Sequence, residues 1–144
     1  MTEKKADRTA KIVATLRTWQ EDENATIAQT TAIVGKSKNG LVKLLMEIIR
    51  HDSIMHHRVQ QFMIDSLTGT PVTLTPEELG EVWELVEQHI AMERKTIGYG
   101  EELMKLCNLF VQKHLLTYLL ADEEKHDKLL SQLEDFKRKL HPYV

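Results

Sequence analysis

The chain has little of what most fold classes need. It carries one cysteine, Cys107, in 144 residues, which excludes an intramolecular disulfide and any Cys-x-x-Cys metal knuckle and fits a reducing compartment. Three prolines and six glycines leave room for few loops. Aromatic residues make up 6% and β-branched runs are sparse, so strands have little to be built from. No apolar run approaches the ~20 residues that span a bilayer, and the segment Met1-Thr-Glu-Lys-Lys-Ala-Asp-Arg8 has no apolar core for a signal peptide. The expectation is a cytoplasmic protein with no membrane partner. Charge of neither sign dominates. A net charge of −3 argues against nucleic acid as the main partner, and the one basic cluster, Lys137-Arg-Lys139, sits where it suits the last turn of a helix.

What is present points to helices. Leu, Lys, Glu, Met and Gln are common, and all are good helix formers. With 42% hydrophobic and 28% charged residues the composition is that of a globular protein, and the length suits a single domain over residues 1–144. Four helices are expected, together an all-α, antiparallel four-helix bundle. The first runs from about Lys5 to Val34, with Ile12, Leu16, Trp19, Ile27 and Val34 on one face and Glu23 in the gap between Trp19 and Ile27. The second runs from about Asn39 to Leu67, with Leu41, Leu45, Ile48, Met55, Val59, Phe62 and Met63 as its stripe. Asp52 interrupts that stripe, and His56 is its neighbour four residues on. The third starts where Thr75, Pro76 and Glu78 read as N-cap, first helical position and capping box. Val82, Leu85, Val86, His89, Glu93, Thr96 and Ile97 form its stripe, and Gly98 and Gly100 mark a place where it could bend. The fourth runs from about Leu109 to Leu140, before His141-Pro142, with Leu115, Leu116, Leu119, Glu123, His126, Leu129, Leu130 and Leu133 facing inward.

The acids share a level. The midpoint of Glu23 and Asp52 falls inside Gly35–Gly40, that of Asp52 and Glu93 inside Thr68–Thr75, and that of Glu93 and Glu123 on Asn108. If each of these segments turns the chain back on itself, the four carboxylates stand at one height. Acids at one height on four inward faces are what a metal pair in a helical bundle requires. The motif Glu123-Glu-Lys-His126 places a carboxylate and an imidazole one turn apart, Asp52 and His56 do so at four-residue spacing, and His89 precedes Glu93 by one turn as a further ligand or a supporting group. Oxygen and nitrogen donors without thiolates suit iron or manganese, with zinc compatible. Four buried carboxylates balance two divalent cations, whereas an unpaired buried carboxylate costs several kcal/mol or must be protonated.

These residues resemble the ferritin-like di-iron carboxylate proteins, rubrerythrins especially, and Tyr118-Leu-Leu-Ala-Asp-Glu-Glu-Lys-His126 is the most specific match. The resemblance covers residues ~8–140. It implies Glu23, Asp52, Glu93 and Glu123 as carboxylate ligands and His56 and His126 as imidazole ligands of two iron ions. It also implies a reaction with peroxide or dioxygen, as a peroxidase or as a ferroxidase in iron handling, and a homodimer is compatible with it. The second helix departs from the family by carrying Asp-x-x-x-His in place of Glu-x-x-His. The rubredoxin-like Cys₄ iron site of full rubrerythrins is absent, so electrons are expected from a separate donor protein.

Two alternatives stay open. The link from Leu67 to Thr75 reaches about 35 Å when extended, short of a crossover along helices about 40 Å long, so a plain up-down-up-down topology is as compatible as the ferritin-like one. His89-x-x-x-Glu93 resembles the second-helix motif of hemerythrin-like domains, which also bind di-iron. From a different class, a metal-free interaction or regulatory module whose polar layer fixes helix register is the alternative to the di-iron reading.

Overall fold

A computed structural model describes residues 2–140, with side chains from 3 to 139. The chain is all-α, with four helices and no strand among the described residues. They are α1 (Thr2–Lys36), α2 (Gly40–Thr68), α3 (Pro76–Leu106) and α4 (Phe110–Leu140). The expected stop before His141-Pro142 lies outside the described residues. The chain divides into two compact units, Met1–Val72 and Thr73–Val144. Each is a helical hairpin, α1 packed on α2 and α3 packed on α4.

Local chemistry sets the ends. Asn39 caps α2, its Oδ1 accepting from the N–H groups of Leu41 and Val42 at 3.0 and 3.1 Å. At the start of α3 the Thr75–Glu78 capping box forms in both directions and Pro76 opens the helix, so donors that a helix start would leave unpaired are satisfied. The helix does not break at its glycines. α3 runs through Gly98 and Gly100 without interruption, and Gly100 serves packing instead. A Cβ there would run into the Leu120 side chain of α4, which fills the space that glycine leaves.

The buried positions follow a three-four spacing. On α1 they are Leu16, Gln20, Glu23 and Thr30; on α2, Ser53, Gln60 and Ile64; on α3, Leu79, Ile90, Glu93 and Gly100. This is the seam of two helices packed nearly along one another. In the first hairpin the seam is mostly polar. It buries a different face of α2 from the apolar stripe read in the sequence: Leu45, Met55, Val59 and Phe62 of that stripe are exposed, Phe62 at 59%.

The two hairpins repeat each other. α1 ends at Lys36 and α3 at Leu106; α2 starts at Gly40 and α4 at Phe110, an offset of seventy residues at both points. At that offset Glu23-Asn-Ala-Thr26-Ile27 matches Glu93-Arg-Lys-Thr96-Ile97, and Asp52-Ser53-Ile-Met-His56 matches Asp122-Glu123-Glu-Lys-His126.

Candidate metal centre

In the second hairpin, α3 contributes Glu93 from its buried face and α4 contributes Glu123 and His126, one turn apart. One ligand atom from each of the three lies within 4.8 Å of the others. His126 Nδ1 is 3.4 Å from Glu93 Oε1 and 4.0 Å from Glu123 Oε2. His89 approaches from the preceding turn, its Nε2 3.0 Å from Glu93 Oε1. Thr96 Oγ1 stands 3.0 Å from Glu123 Oε2 and 2.8 Å from the carbonyl oxygen of Glu93. Its single hydroxyl proton can serve only one of them at a time. On the far side of the imidazole, Asp122 Oδ2 lies 3.9 Å from His126 Nε2, longer than a hydrogen bond, and Asp122 Oδ1 pairs with Lys125 Nζ at 2.8 Å.

The two carboxyls are pushed in opposite directions. Hydrogen bonding with Glu123 holds Glu93 below its ordinary value, against the effect of burial and with help from His126 and His89. Hydrogen bonding with Glu93 pushes Glu123 up, and burial adds to this. One acid is therefore ionised and the other protonated over the range between them. Even so, Glu93 Oε2 is buried and has no hydrogen-bond partner. An orphaned carboxylate oxygen inside a Glu, Glu, His set fits a divalent cation, whose oxygen and nitrogen ligands stand at ~2.1 Å. Both measured distances from His126 Nδ1 are within the span two ligands of one such ion allow.

The first hairpin gathers a different set. Glu23, 6% exposed, has His56 Nδ1 at 3.3 Å from its Oε1 and accepts a hydrogen bond from Gln60 Nε2 at 3.5 Å. Gln20 donates to the carbonyl oxygen of His57 at 3.3 Å and to Gln61 Oε1 at 3.0 Å. Gln60 Oε1 is buried without a partner. All these pairs have their midpoints around Gly40, not in the middle of Gly35–Gly40. Glu23 is therefore level with the turn of His56 and Gln60, and Asp52 stands about five residues, or ~7.5 Å, nearer the start of α2. Asp52 is half-buried and has no hydrogen bond or ion pair among the described residues.

Of the seven residues singled out in the sequence, the second hairpin thus brings together Glu93, Glu123, His126 and His89, and the first brings together Glu23 and His56 without Asp52. Gln60, Ser53 and Thr96 were missed. The seventy-residue repeat could have found Ser53 and singled out Thr96 from its stripe, because it aligns Thr96 with Thr26, His126 with His56, and Glu123 with Ser53 rather than with Asp52; Gln60 corresponds to Leu130 and had no such signal. Compared with family models, curated proteins and solved structures, the chain matches none. Among the described residues no helix is long and apolar enough to cross a membrane.

Proposed function

We propose that this chain is a metal-binding helical protein of the di-iron carboxylate kind, using iron to reduce peroxide or dioxygen, and that Glu93, Glu123 and His126 anchor the metal. The carrying observation is the buried, unpartnered Glu93 Oε2 inside a Glu, Glu, His cluster. Glu93 supplies the ionised oxygen and His126 Nδ1 the nitrogen. Glu123, whose carboxyl is pushed up, supplies an oxygen once it is deprotonated, and Thr96 stands within hydrogen-bond distance of it. Ferrous iron so held would supply electrons to the oxidant, and a separate donor protein would restore them. The family resemblance implies Glu23, Asp52 and His56 as the remaining ligands of two irons; of these Glu23 and His56 stand together, 3.3 Å apart, and manganese or zinc are chemically acceptable substitutes.

Elemental analysis and anaerobic mixing test this reading. Protein loaded with excess ferrous ion is expected to retain up to two irons per chain. Stopped-flow mixing with peroxide or dioxygen should then show oxidation faster than that of free iron in the same buffer. A reproducible metal content near zero overturns the proposal. Oxidation at the free-iron rate removes the redox part and leaves a metal site without that role.

A second reading has its own support. The buried polar seam of α1 and α2, with Gln20 bonded to Gln61 and Gln60 to Glu23 across it, is what a register-fixing device in a metal-free interaction module would look like. Metal content near zero favours it.

A further inference from the structure

The seventy-residue repeat shows where the two hairpins differ in chemistry. Their helix ends coincide, and so do Glu23 with Glu93, Thr26 with Thr96, Asp52 with Asp122 and His56 with His126. The departure is at the position one turn before the histidine. α4 has Glu123 there, within ligand distance of Glu93 and His126. α2 has Ser53, which is 5% exposed and so lies in the same kind of buried seam position. A serine hydroxyl is neutral at neutral pH, so it supplies none of the negative charge with which a carboxylate oxygen holds a divalent cation. The next turn offers Gln60, also neutral, whose Oε1 is buried and unpartnered. The first hairpin therefore presents one carboxylate, one imidazole and one amide oxygen, where the second presents two carboxylates and one imidazole. Asp52 does not make up the deficit, because it corresponds to Asp122, behind the histidine, and not to a residue facing Glu23.

We infer that the two hairpins bind metal unequally, the α3–α4 cluster taking the first ion tightly and the α1–α2 cluster holding a second one weakly because Ser53 occupies the place of a carboxylate. The inference rests on the proposed metal-binding function and specifies its stoichiometry. It makes Ser53 and Glu123 the pair of positions that sets how many ions the chain retains at low free metal.

A reciprocal exchange in the full-length protein tests it, with cobalt(II) as the probe. Equilibrium dialysis gives stoichiometry and affinity, the visible ligand-field bands report ions bound by nitrogen and oxygen, and circular dichroism checks helix content. The unmodified protein should bind one equivalent tightly and a further one at least ~10-fold more weakly. E123S should lose the tight equivalent, with affinity falling ~100-fold or more. S53E, or S53D if the longer side chain disturbs the seam, should raise the second equivalent toward the affinity of the first. Two equivalents of equal affinity in the unmodified protein, or a tight equivalent that survives E123S, would overturn the inference while leaving the metal-binding function in place. So would a second equivalent that neither Ser53 variant tightens in protein of unchanged helix content. No cobalt bound by the unmodified protein would overturn both.

Discussion

The two hairpins are built to one plan and filled with different chemistry. Both are long helices joined by three-residue turns, with bounds that coincide at an offset of seventy. In the second, two carboxyls and a histidine meet, and their contact pushes one carboxyl down and the other up. In the first, glutamines do the joining, and the single buried acid is served by neutral donors and His56. The difference teaches that a shared backbone register fixes where side chains meet but not what they can hold. A change at one seam position, carboxylate to hydroxyl, separates a cluster with a cation's ligand set from a hydrogen-bonded network.

The largest expected effect sets the hydrophobic content of one seam against the other. Ile64, 1% exposed, is one of the few hydrophobic residues in the first hairpin's seam, and its counterpart at the repeat offset is Glu134, paired with Arg94 at 3.8 Å. Ile64→Ala should cost ~2–5 kcal/mol in urea unfolding. Leu116→Ala in α4, where Leu116 is 6% exposed, should cost less. A larger loss at Leu116 would break the view that the polar seam depends on a few buried hydrophobes.

A smaller effect concerns helix spacing. Gly100 is filled by Leu120, whereas its counterpart Thr30 already carries a side chain, bonded to the carbonyl oxygens of Thr26 and Ile27. Gly100→Ala should therefore destabilise by ~1–3 kcal/mol through overpacking, although alanine is the better helix former. Thr30→Ala should change the melting temperature little. If both substitutions were neutral, the close approach would not distinguish the hairpins.

The last contrast is a slope with pH rather than a loss. Glu93 is held low, so its contribution to metal-free stability is present above the ordinary carboxylate value and lost as pH falls through its lowered one. Glu123 is held high, so its contribution is present below the ordinary value and lost as pH rises through its raised one. Metal-free stability from this pair should peak between the two. Above the upper value both carboxyls are ionised, and the stabilisation that a divalent cation confers should grow with pH. Glu123→Gln should remove the upper limb. Urea midpoints measured across pH, with and without manganese, would show both limbs or their absence.

Much of this was legible in the sequence. Helix-forming composition, scarce glycine and proline, and the Thr75-Pro76-Glu78 start were enough to place four helices within a few residues of their ends. The pairing of Glu93 with Glu123 followed from the turn near Asn108. Asp52 was placed at the height of Glu23 because a turn centred inside Gly35–Gly40 looked central. The pairs centre on Gly40 instead, and moving the midpoint by a few residues moves the opposing position by twice as many. Periodicity could not choose between two neighbouring faces of α2, because Ser53 and Gln60 look like surface residues and Leu45, Met55 and Val59 look like core. The seam buries the polar pair, with Gln60 Nε2 donating to Glu23 Oε1 while Gln60 Oε1 stays without a partner.

The turn Ser37-Lys38-Asn39 has a meaning that reaches beyond its own residues. It is closed by the Ser37 amide on the Ile33 carbonyl and by the Asn39 cap. It lies some fourteen residues from Glu23, ~20 Å along the helix axis, yet it acts as the phase reference for that site. One residue inserted there would slide α2 by ~1.5 Å and turn it by ~100° relative to α1, carrying His56 away from Glu23 without touching either. The surface loop is thus a gauge block for chemistry several helical turns away, and its length is under tighter constraint than its composition.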